Sequence, residues 1–521
     1  RPDQAQTAHE EPKQAAERPP GPREPVAQRE AVTPQMIPKA PVKEVNIETP
    51  LYHAVLTNAG PTIKSFRLNE YRQNVKKDSP RIELAKLENG QGGFLNIGLT
   101  GPSGEPEEPL VYQVDRQSIR VGESSEPEEI VFRATTPDGL LLEKTFRFHP
   151  HKYSIDHILK VTNQSDTSVN RSLSARLRVT PEENGGGYYS YVGFIVLKDG
   201  DLEEMEVEEP SEQKVLNGAI RWMAYENEYF MTAVIPTGDT ESIFKAAMSQ
   251  EGVLEGTLRH PATGIAPAQT IESSHLLYFG PRDLGVLKEH GYQLSSAVDF
   301  GWTDIIAKPL LYVLRFFNQY LKNYGLSIIV LTILIKILFW PLTHKSYKSM
   351  KEMQKLQPRM AKIREKYKND RQKMNQELMG LYKTYKVNPM SGCLPMVIQI
   401  PVFIALFRLL GSSIELRHAP FVLWINDLSA PDRLFQFPFG IPFMAPPYGI
   451  PVLTLLMGAS MFLQQKMTPT PGDPTQAKIM MFLPIIFTFI FINFPSGLVL
   501  YWFVNNVLSI GQQYRIQKSS A

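Results

Sequence analysis

The chain has 521 residues and a net charge of +2, with 55 lysines and arginines against 53 aspartates and glutamates. This balance is not that of a strongly basic DNA-binding protein, and a single cysteine, Cys393, excludes an intrachain disulfide. The composition is uneven, because residues 1–300 are charged and polar whereas residues 301–521 hold nearly all the long apolar runs.

The first 300 residues predict a linker followed by a β domain. Residues 1–47 are rich in Pro, Glu, Gln and Ala, which predicts a disordered linker. Residues 48–300 contain short β-branched stretches such as EIVFRA and LLLEKTFRF between turn residues, a pattern typical of an all-β sandwich. Within this domain the acidic run DLEEMEVEEP at 201–210 is expected to be an exposed loop.

An aromatic-rich amphipathic helix is predicted at 301–324. Its composition is typical of a helix that lies at the membrane surface just outside the first span. The alternative is a helix that packs on the β domain.

Five apolar segments are predicted to span a membrane, at 325–343, 390–411, 449–466, 479–494 and 497–514. The connection 344–388 carries 13 lysines and arginines against four acidic residues, so it is expected in the cytoplasm. Alternation then places the β domain outside and the short tail 516–521 inside.

The connection 344–388 is itself predicted to be an antiparallel helical hairpin. Apolar residues recur at three- and four-residue spacing on both sides of KNDR, with basic residues on the outer faces. These charges can receive an anionic partner such as ribosomal RNA, or an amphipathic nascent segment. Alternatively they only enforce topology and contact lipid headgroups.

Lys336 lies inside the first apolar segment, where a charge costs about 2.5–3.5 kcal/mol on insertion scales. It is roughly 13 Å from Lys345, too far to reach the cytoplasmic interface comfortably. No Asp or Glu occurs in the five predicted spans. We therefore expect Lys336 to face a hydrated cavity that is open to the cytoplasm, the alternative being a lysine that snorkels through a thinned bilayer.

Further polar residues are expected to line this cavity. Thr332 lies one turn before Lys336 on the same helix face, and Gln399 interrupts the second span. The last span carries a polar stripe at three- and four-residue spacing, formed by Trp502, Asn505, Asn506, Ser509 and Gln512.

Motifs for catalysis are absent from the sequence: it has no P-loop, no GxSxG and no HExxH. The histidines of FHPHKYSIDH, His149, His151 and His157, have no nearby cysteine or acidic run, so a strand-end turn is favoured over zinc. No enzyme activity, metal or cofactor is expected.

Several stretches resemble the YidC family of membrane protein insertases in its Gram-negative form. They are LQPRMAKIREKY, KVNPMSGCLPMVIQIPVFIALF, ELRHAPFVLWINDLSAPD, FPSGLVLYWFVNNVLSI and, in the β domain, WMAYENEYFMTAVIP and LYFGPRDL. The resemblance implies a periplasmic β-supersandwich and a five-helix insertase core in the bacterial inner membrane. It also implies an anchor helix ahead of the β domain.

The resemblance also implies a hydrophilic groove with a positive residue, at the position of Lys336. Thr332 and Gln399 fall on groove positions, and Tyr501 and Trp502 on an aromatic pair of the last helix, where Trp502 replaces a more usual Tyr.

The predicted function is insertion of nascent transmembrane segments into the bilayer, alone or with the Sec translocon. The cytoplasmic loops are expected to meet the ribosome and the signal-recognition-particle pathway. Two rivals remain open: a transporter or channel that uses Lys336 in a polar cavity, and a periplasmic carbohydrate enzyme or binding module on a membrane anchor.

Overall fold

The computed structural model describes residues 41–87, 93–102, 110–181, 191–210, 212–238, 241–385, 387, 394–467 and 474–518. Most of the predicted linker, Cys393 and the last three residues of the tail lie outside the described residues.

The described part of residues 41–300 is built mainly of β-strands, as the alternating sequence pattern predicts. In chain order the strands are β1 (Glu44–Glu48), β2 (Tyr52–Thr57), β3 (Thr62–Arg72), β4 (Arg81–Glu83), β5 (Leu95–Thr100), β6 (Gln113–Val114), β7 (Ser118–Arg120), β8 (Glu128–Thr135), β9 (Leu140–Phe148), β10 (Ser154–Asn163), β11 (Val169–Val179), β12 (Gly193–Lys198), β13 (Asp201–Met205), β14 (Gln213–Glu226), β15 (Phe230–Pro236), β16 (Glu241–Met248), β17 (Leu254–Arg259), β18 (Thr263–Ile265) and β19 (Thr270–Pro281). A short helix, α1 (Leu284–His290), follows them.

The strands form two sheets that share β14. One sheet has the order β7-β1-β2-β3-β5-β11-β17-β16-β14, with β4 beside β3 and β18 beside β11. The other has the order β6-β8-β9-β10-β19-β15-β14-β12-β13. Gly218 has φ of +138° where β14 leaves the first sheet for the second, a backbone conformation that side chains disfavour.

Aromatic side chains fill the space between the two sheets. Phe66 of β3 stacks on Phe279 of β19 with 4.5 Å between ring centroids, and Phe194 of β12 lies 5.8 Å from Phe244 of β16. Each pair joins one sheet to the other, so the sheets pack face to face, as aligned sandwiches do.

The prediction of a loop at 201–210 is wrong for its first half. Asp201–Met205 is strand β13, which pairs with β12 at the edge of the second sheet. Its acidic side chains are exposed, and charge on an edge strand discourages pairing with other chains.

The rest of the chain is mainly helical. The helices are α2 (Asp304–Leu321), α3 (Tyr324–Lys366), α4 (Arg371–Thr384), α5 (Leu394–Ser412), α6 (Val452–Met467), α7 (Pro474–Phe491) and α8 (Ser496–Lys518). A small hairpin of β20 (Leu434–Phe437) and β21 (Tyr448–Ile450) lies between α5 and α6.

Helix α2 is amphipathic. Ala307, Leu311 and Leu314 are buried along one face, whereas Ile305, Tyr312, Phe316 and Tyr320 are exposed on the other. Its buried face contacts α3 and α5.

Helix α3 is continuous from the first predicted span into the predicted basic hairpin. Its 43 residues make it roughly 65 Å long, about twice the thickness of the hydrocarbon core. Beyond α3 the chain turns back into α4, and Leu356, Met360 and Leu378 form a small apolar seam between the two helices.

Among the described helices, only α3 is both long and apolar enough to cross a membrane by itself. Shorter apolar stretches occupy Val397–Ser412 and Ile479–Phe491. Helix α6 has 16 residues, and the polar stripe of α8 lowers its hydropathy. A helix lies in each predicted span, and all five spans stay a prediction.

Three arginines join the helical region to the β domain. Arg315 of α2 donates a hydrogen bond of 3.0 Å to Asp283, the residue that caps α1. Its Nε also donates to Glu415 at 2.7 Å. Arg408 of α5 donates to the Phe300 carbonyl at 3.0 Å. Arg417 donates to the Arg72 carbonyl of β3 at 2.6 Å.

Candidate functional site

The site is built around Lys336, near the middle of the apolar part of α3. The side chain is 7% exposed. Its ammonium donates to Ser509 Oγ at 2.5 Å and to Asn505 Oδ1 at 3.3 Å, both on α8. These hydrogen bonds join α3 to α8, and the expected hydrated cavity around Lys336 stays a prediction.

The second predicted span contributes a further neutral side chain, which contacts Asn505. Gln399 of α5 donates from Nε2 to Asn505 Oδ1 at 3.4 Å, so Asn505 accepts from both Lys336 and Gln399. We call Lys336, Gln399, Asn505 and Ser509 the polar cluster. It joins α3, α5 and α8.

The charge of Lys336 is not neutralised within the described residues, where no carboxylate forms a salt bridge with it. Asn505 and Ser509 offer oxygen dipoles only. An ammonium buried among neutral groups creates a positive field in a region of low dielectric, where it acts more strongly than in water. The polar cluster is therefore suited to hold a negatively charged group.

Two other predicted site residues lie at or beside the cluster. The Tyr501 ring is buried on α8, and its hydroxyl lies beside the Gln399 side chain. Thr332 is also buried, but its hydroxyl donates to the Ile328 carbonyl of its own helix at 2.6 Å.

Asn506 and Trp502 are not part of the polar cluster. Asn506 donates to Ser460 of α6 at 3.1 Å, which places it on a different face of α8 from Asn505. Trp502 packs at 4.6 Å from the ring centroids of both Phe403 and Phe491. Residues adjacent on a helix point about 100° apart, so one stripe could not hold all five predicted side chains.

Helix α3 carries further polar residues, C-terminal to Lys336, that were not among the predicted site residues. Thr343 Oγ1 accepts from Gln512 Nε2 at 2.9 Å, and Tyr347 interacts with Ser509. Thr343 and Tyr347 follow Lys336 at seven and eleven residues, the spacing of one helix face. That spacing was the available signal.

A second group of buried polar side chains lies inside the β domain. His157 of β10 is directly opposite His275 of β19, and Lys144 of β9 is buried on the same face. Within the described residues, neither ring nitrogen of His157 has a hydrogen-bond partner. Burial lowers the pKa of His275 to about 3 and that of Lys144 to about 7, and it also lowers the pKa of His157.

The three histidines of FHPHKYSIDH do not converge. His149 pairs with Asp156 at 2.9 Å, His151 contacts the Glu123 carbonyl at 2.7 Å, and His157 is in the core. In the described part of the chain there is no group of three or more side chains that could hold a metal ion.

Two family models match the chain. Residues 44–313 match the one described as YidC periplasmic domain, and residues 316–521 match the one described as 60Kd inner membrane protein.

Curated relatives match over most of their length. "Membrane protein insertase YidC" of Syntrophus aciditrophicus (strain SB) is 43% identical over 481 residues, covering 92% of this chain and 85% of the relative. The protein of the same name from Syntrophobacter fumaroxidans is 43% identical over 489 residues, covering 91% of this chain and 86% of the relative. A solved structure described as an active YidC insertase with the first transmembrane domain resolved is 18% identical, covers 91% of this chain and 92% of its own, and has a TM-score of 0.38.

Proposed function

The chain belongs to the YidC family of membrane protein insertases, and from this premise we propose that it moves transmembrane segments of nascent proteins from the cytoplasm into the bilayer. In this proposal α3, α5, α6, α7 and α8 form a five-helix core in the bacterial inner membrane. The β domain lies in the periplasm, and the C-terminus and the α3–α4 hairpin lie in the cytoplasm. The basic bias of residues 344–388 supports this orientation.

The observation that carries the mechanism is the unneutralised ammonium of Lys336. A transmembrane segment that enters from the cytoplasm must bring a polar flank across hydrocarbon, where unpaired polar groups cost several kcal/mol. A hydrophilic groove lowers that cost because the flank keeps partners as it passes. An acidic flank gains a charged partner in Lys336.

The contact between α3 and α8 must open for this to happen. Lys336 is buried against Asn505 and Ser509, so a substrate carboxylate has to replace one of these neutral groups. The exchange favours the substrate, because a hydrogen bond between two charged groups is stronger than one with a neutral partner. The polar cluster is thus the closed form of the groove.

The apolar segment of the substrate supplies the driving force. As it leaves the groove sideways into lipid, it gains about 25 cal/mol for each Å² of apolar surface removed from water. The step needs no covalent chemistry and no cofactor. The same groove serves the protein alone or beside the Sec translocon.

The basic α3–α4 hairpin is proposed to receive the ribosome and the signal-recognition-particle pathway. Helix α3 is long enough to extend well beyond the bilayer, which carries the hairpin away from the lipid surface. Of the two rivals, the transporter gains no support from the two relatives described above, which are both named as insertases.

Changing the charge at Lys336 tests the electrostatic step. We expect Lys336→Ala to slow insertion of substrates with acidic exported flanks by about tenfold, the effect of losing about 1.4 kcal/mol at the transition state, and to leave neutral flanks nearly unchanged. Lys336→Arg keeps the charge and should retain most activity. Lys64→Ala removes an exposed lysine of the β domain that is paired with Glu44 and serves as the control.

A second pair of variants uses the two neighbouring asparagines of α8. Asn505→Asp places a carboxylate against Lys336 and should act like Lys336→Ala, because the cation then has an internal partner. Asn506→Asp adds the same charge on the face toward Ser460 and should spare the preference for acidic flanks. Equal rates across the flank series in all variants would contradict the electrostatic step.

A further inference from the structure

A hairpin without charged residues joins α5 to α6. Strands β20 and β21 pair antiparallel, and the sequence of 434–450, LFQFPFGIPFMAPPYGI, contains no Asp, Glu, Lys or Arg. Three of its phenyl rings are exposed, Phe435 by 69%, Phe439 by 60% and Phe443 by 83%. Phe439 also stacks on Phe437 with 5.3 Å between ring centroids, and exposed apolar side chains that lie together in this way are typical of an interaction site.

The hairpin is held in place at its base. Asp432 accepts hydrogen bonds from the backbone N–H groups of Leu453 and Thr454 at the start of α6. Arg433 donates to the Pro447 carbonyl across the hairpin and to the Ile492 carbonyl beyond α7, both at 2.8 Å. These contacts fix the charged side chains inward and leave the phenyl rings outward.

The far part of the hairpin is held at the turn between α7 and α8. Asn493 Oδ1 accepts from the Ala445 backbone N–H at 2.8 Å, and its Nδ2 donates to the Phe443 carbonyl at 3.0 Å. The backbone is therefore paired, while the ring of Phe443 remains exposed. The hairpin thus lies at the end of the bundle where α6 and α8 begin and α7 ends.

We propose that this hairpin contacts the outer leaflet of the membrane through Phe435, Phe439 and Phe443. A segment with no charge offers nothing to a partner recognised by charge, whereas aromatic rings suit the boundary between headgroups and acyl chains. The inference rests on the proposed topology, which makes this end of the bundle its outer end. The hairpin then fixes the depth of the turn between α7 and α8.

The test is the depth of a fluorescent probe in the full chain. In a Cys393→Ser background, Phe443→Cys is labelled with an NBD fluorophore, and the protein is reconstituted into vesicles whose lipids carry nitroxides at the headgroup or along the acyl chain. We expect a blue-shifted emission, most of which is lost with shallow nitroxides. Val215→Cys, on β14 and 56% exposed, is the control and should respond to aqueous iodide instead.

Other outcomes overturn the proposal. A probe quenched by iodide and not by lipid nitroxides faces water. A blue-shifted probe that neither quencher reaches is covered by protein, either a partner or a second copy. Phe439→Cys repeats the measurement should Phe443→Cys fail to fold.

Insertion of a test substrate in the same vesicles separates this inference from the proposed function. If the substrate is not inserted but lipid nitroxides still quench the probe, the proposed function is rejected and the proposed lipid contact of the hairpin stands. Iodide quenching of the Val215 probe from outside identifies the vesicles in which the β domain faces outward.

Discussion

At the scale of single residues, the proposed groove depends on a cation, Lys336, whose hydrogen-bond partners are neutral. Asn505 and Ser509 stabilise the ammonium of Lys336 without cancelling its charge. Three hydrogen-bond donors on a flexible stem can exchange partners one at a time. Lys336 can therefore keep a neutral partner while it binds a substrate carboxylate.

The side chains of the cluster were largely predictable from the sequence. A lysine in an apolar segment and polar residues at helical spacing on α8 pointed to Lys336, Asn505 and Ser509 before any coordinates. The sequence could not show which polar residues of α8 face which neighbouring helix, because that depends on how the helices pack. Asn506 meets Ser460, and Trp502 meets phenyl rings, only because of where α6, α5 and α7 pack.

The buried histidines of the β domain predict a stability that depends on pH. His157 and His275 have pKa values far below that of an unfolded histidine, about 6.5. The unfolded chain therefore binds protons first, and the free energy of unfolding falls as the pH drops below about 6.5. For His275 this fall continues toward pH 3, by up to about 1.4 kcal/mol per pH unit. In addition to burial, nearby basic groups lower these pKa values: Lys144 disfavours a positive charge on His157, and His260 disfavours one on His275.

Hydrogen exchange of the β10 and β19 amides measures this dependence in the whole chain. Protection, corrected for the intrinsic exchange rate, should be weaker at pH 5.5 than at pH 7.5. His157→Phe should flatten the difference, whereas His151→Gln, at an exposed histidine, should not. Equal protection at both pH values in the unmodified protein would contradict the account.

At the scale of elements, the junction between α1, α2 and the segment after α5 is held by one arginine that forms two ion pairs. Arg315 bridges Asp283 and Glu415, and Glu415 is almost completely buried. Removing one partner of a fully buried pair costs about 3–5 kcal/mol because the other charge stays desolvated. Arg315 keeps some contact with solvent. Its removal should therefore lower the free energy of unfolding by about 3 kcal/mol or less.

Thermal unfolding of the purified protein in detergent tests this junction. Arg315→Ala should lower the midpoint by several degrees and increase hydrogen exchange in α1 and α2. Lys308→Ala removes a partly exposed pair with Asp304 on the same helix, worth about 0.3–0.5 kcal/mol, and is the matched control. Similar midpoints for both variants would show that Arg315 does not hold the junction.

The length of helix α3 could not be predicted from the sequence. Its periodicity indicated helix both before and after residue 343, and its basic half indicated the side of the membrane. The change from apolar to basic residues looked like an element boundary. The backbone continues through it, because the helix hydrogen bonds do not depend on whether side chains meet lipid or water.

At the scale of the whole molecule, the sequence predicted a β-rich part followed by a helical part, and the family models divide the chain at nearly the same place. The order of strands could not be predicted. Pairings such as β11 with β5 and β1 with β7 join residues far apart in sequence, and β14 serves both sheets. Sequence pattern fixes which residues face inward but leaves the partner strand open.

The contacts described above also suggest different roles for the β domain and the helical region. Arg315, Arg408 and Arg417 join the β domain to the helical region, whereas the polar cluster lies between α3, α5 and α8. We therefore expect the β domain to support the position of the helices and the polar cluster to meet the substrate.

The most direct test of the central claim is protease protection of a short single-span protein. The substrate, with an acidic exported flank, is added to liposomes that contain only this chain with an N-terminal anchor. The account predicts a protected fragment that requires the protein and decreases with Lys336→Ala. The same amount of protected fragment with and without the protein, or with and without the lysine, would contradict it.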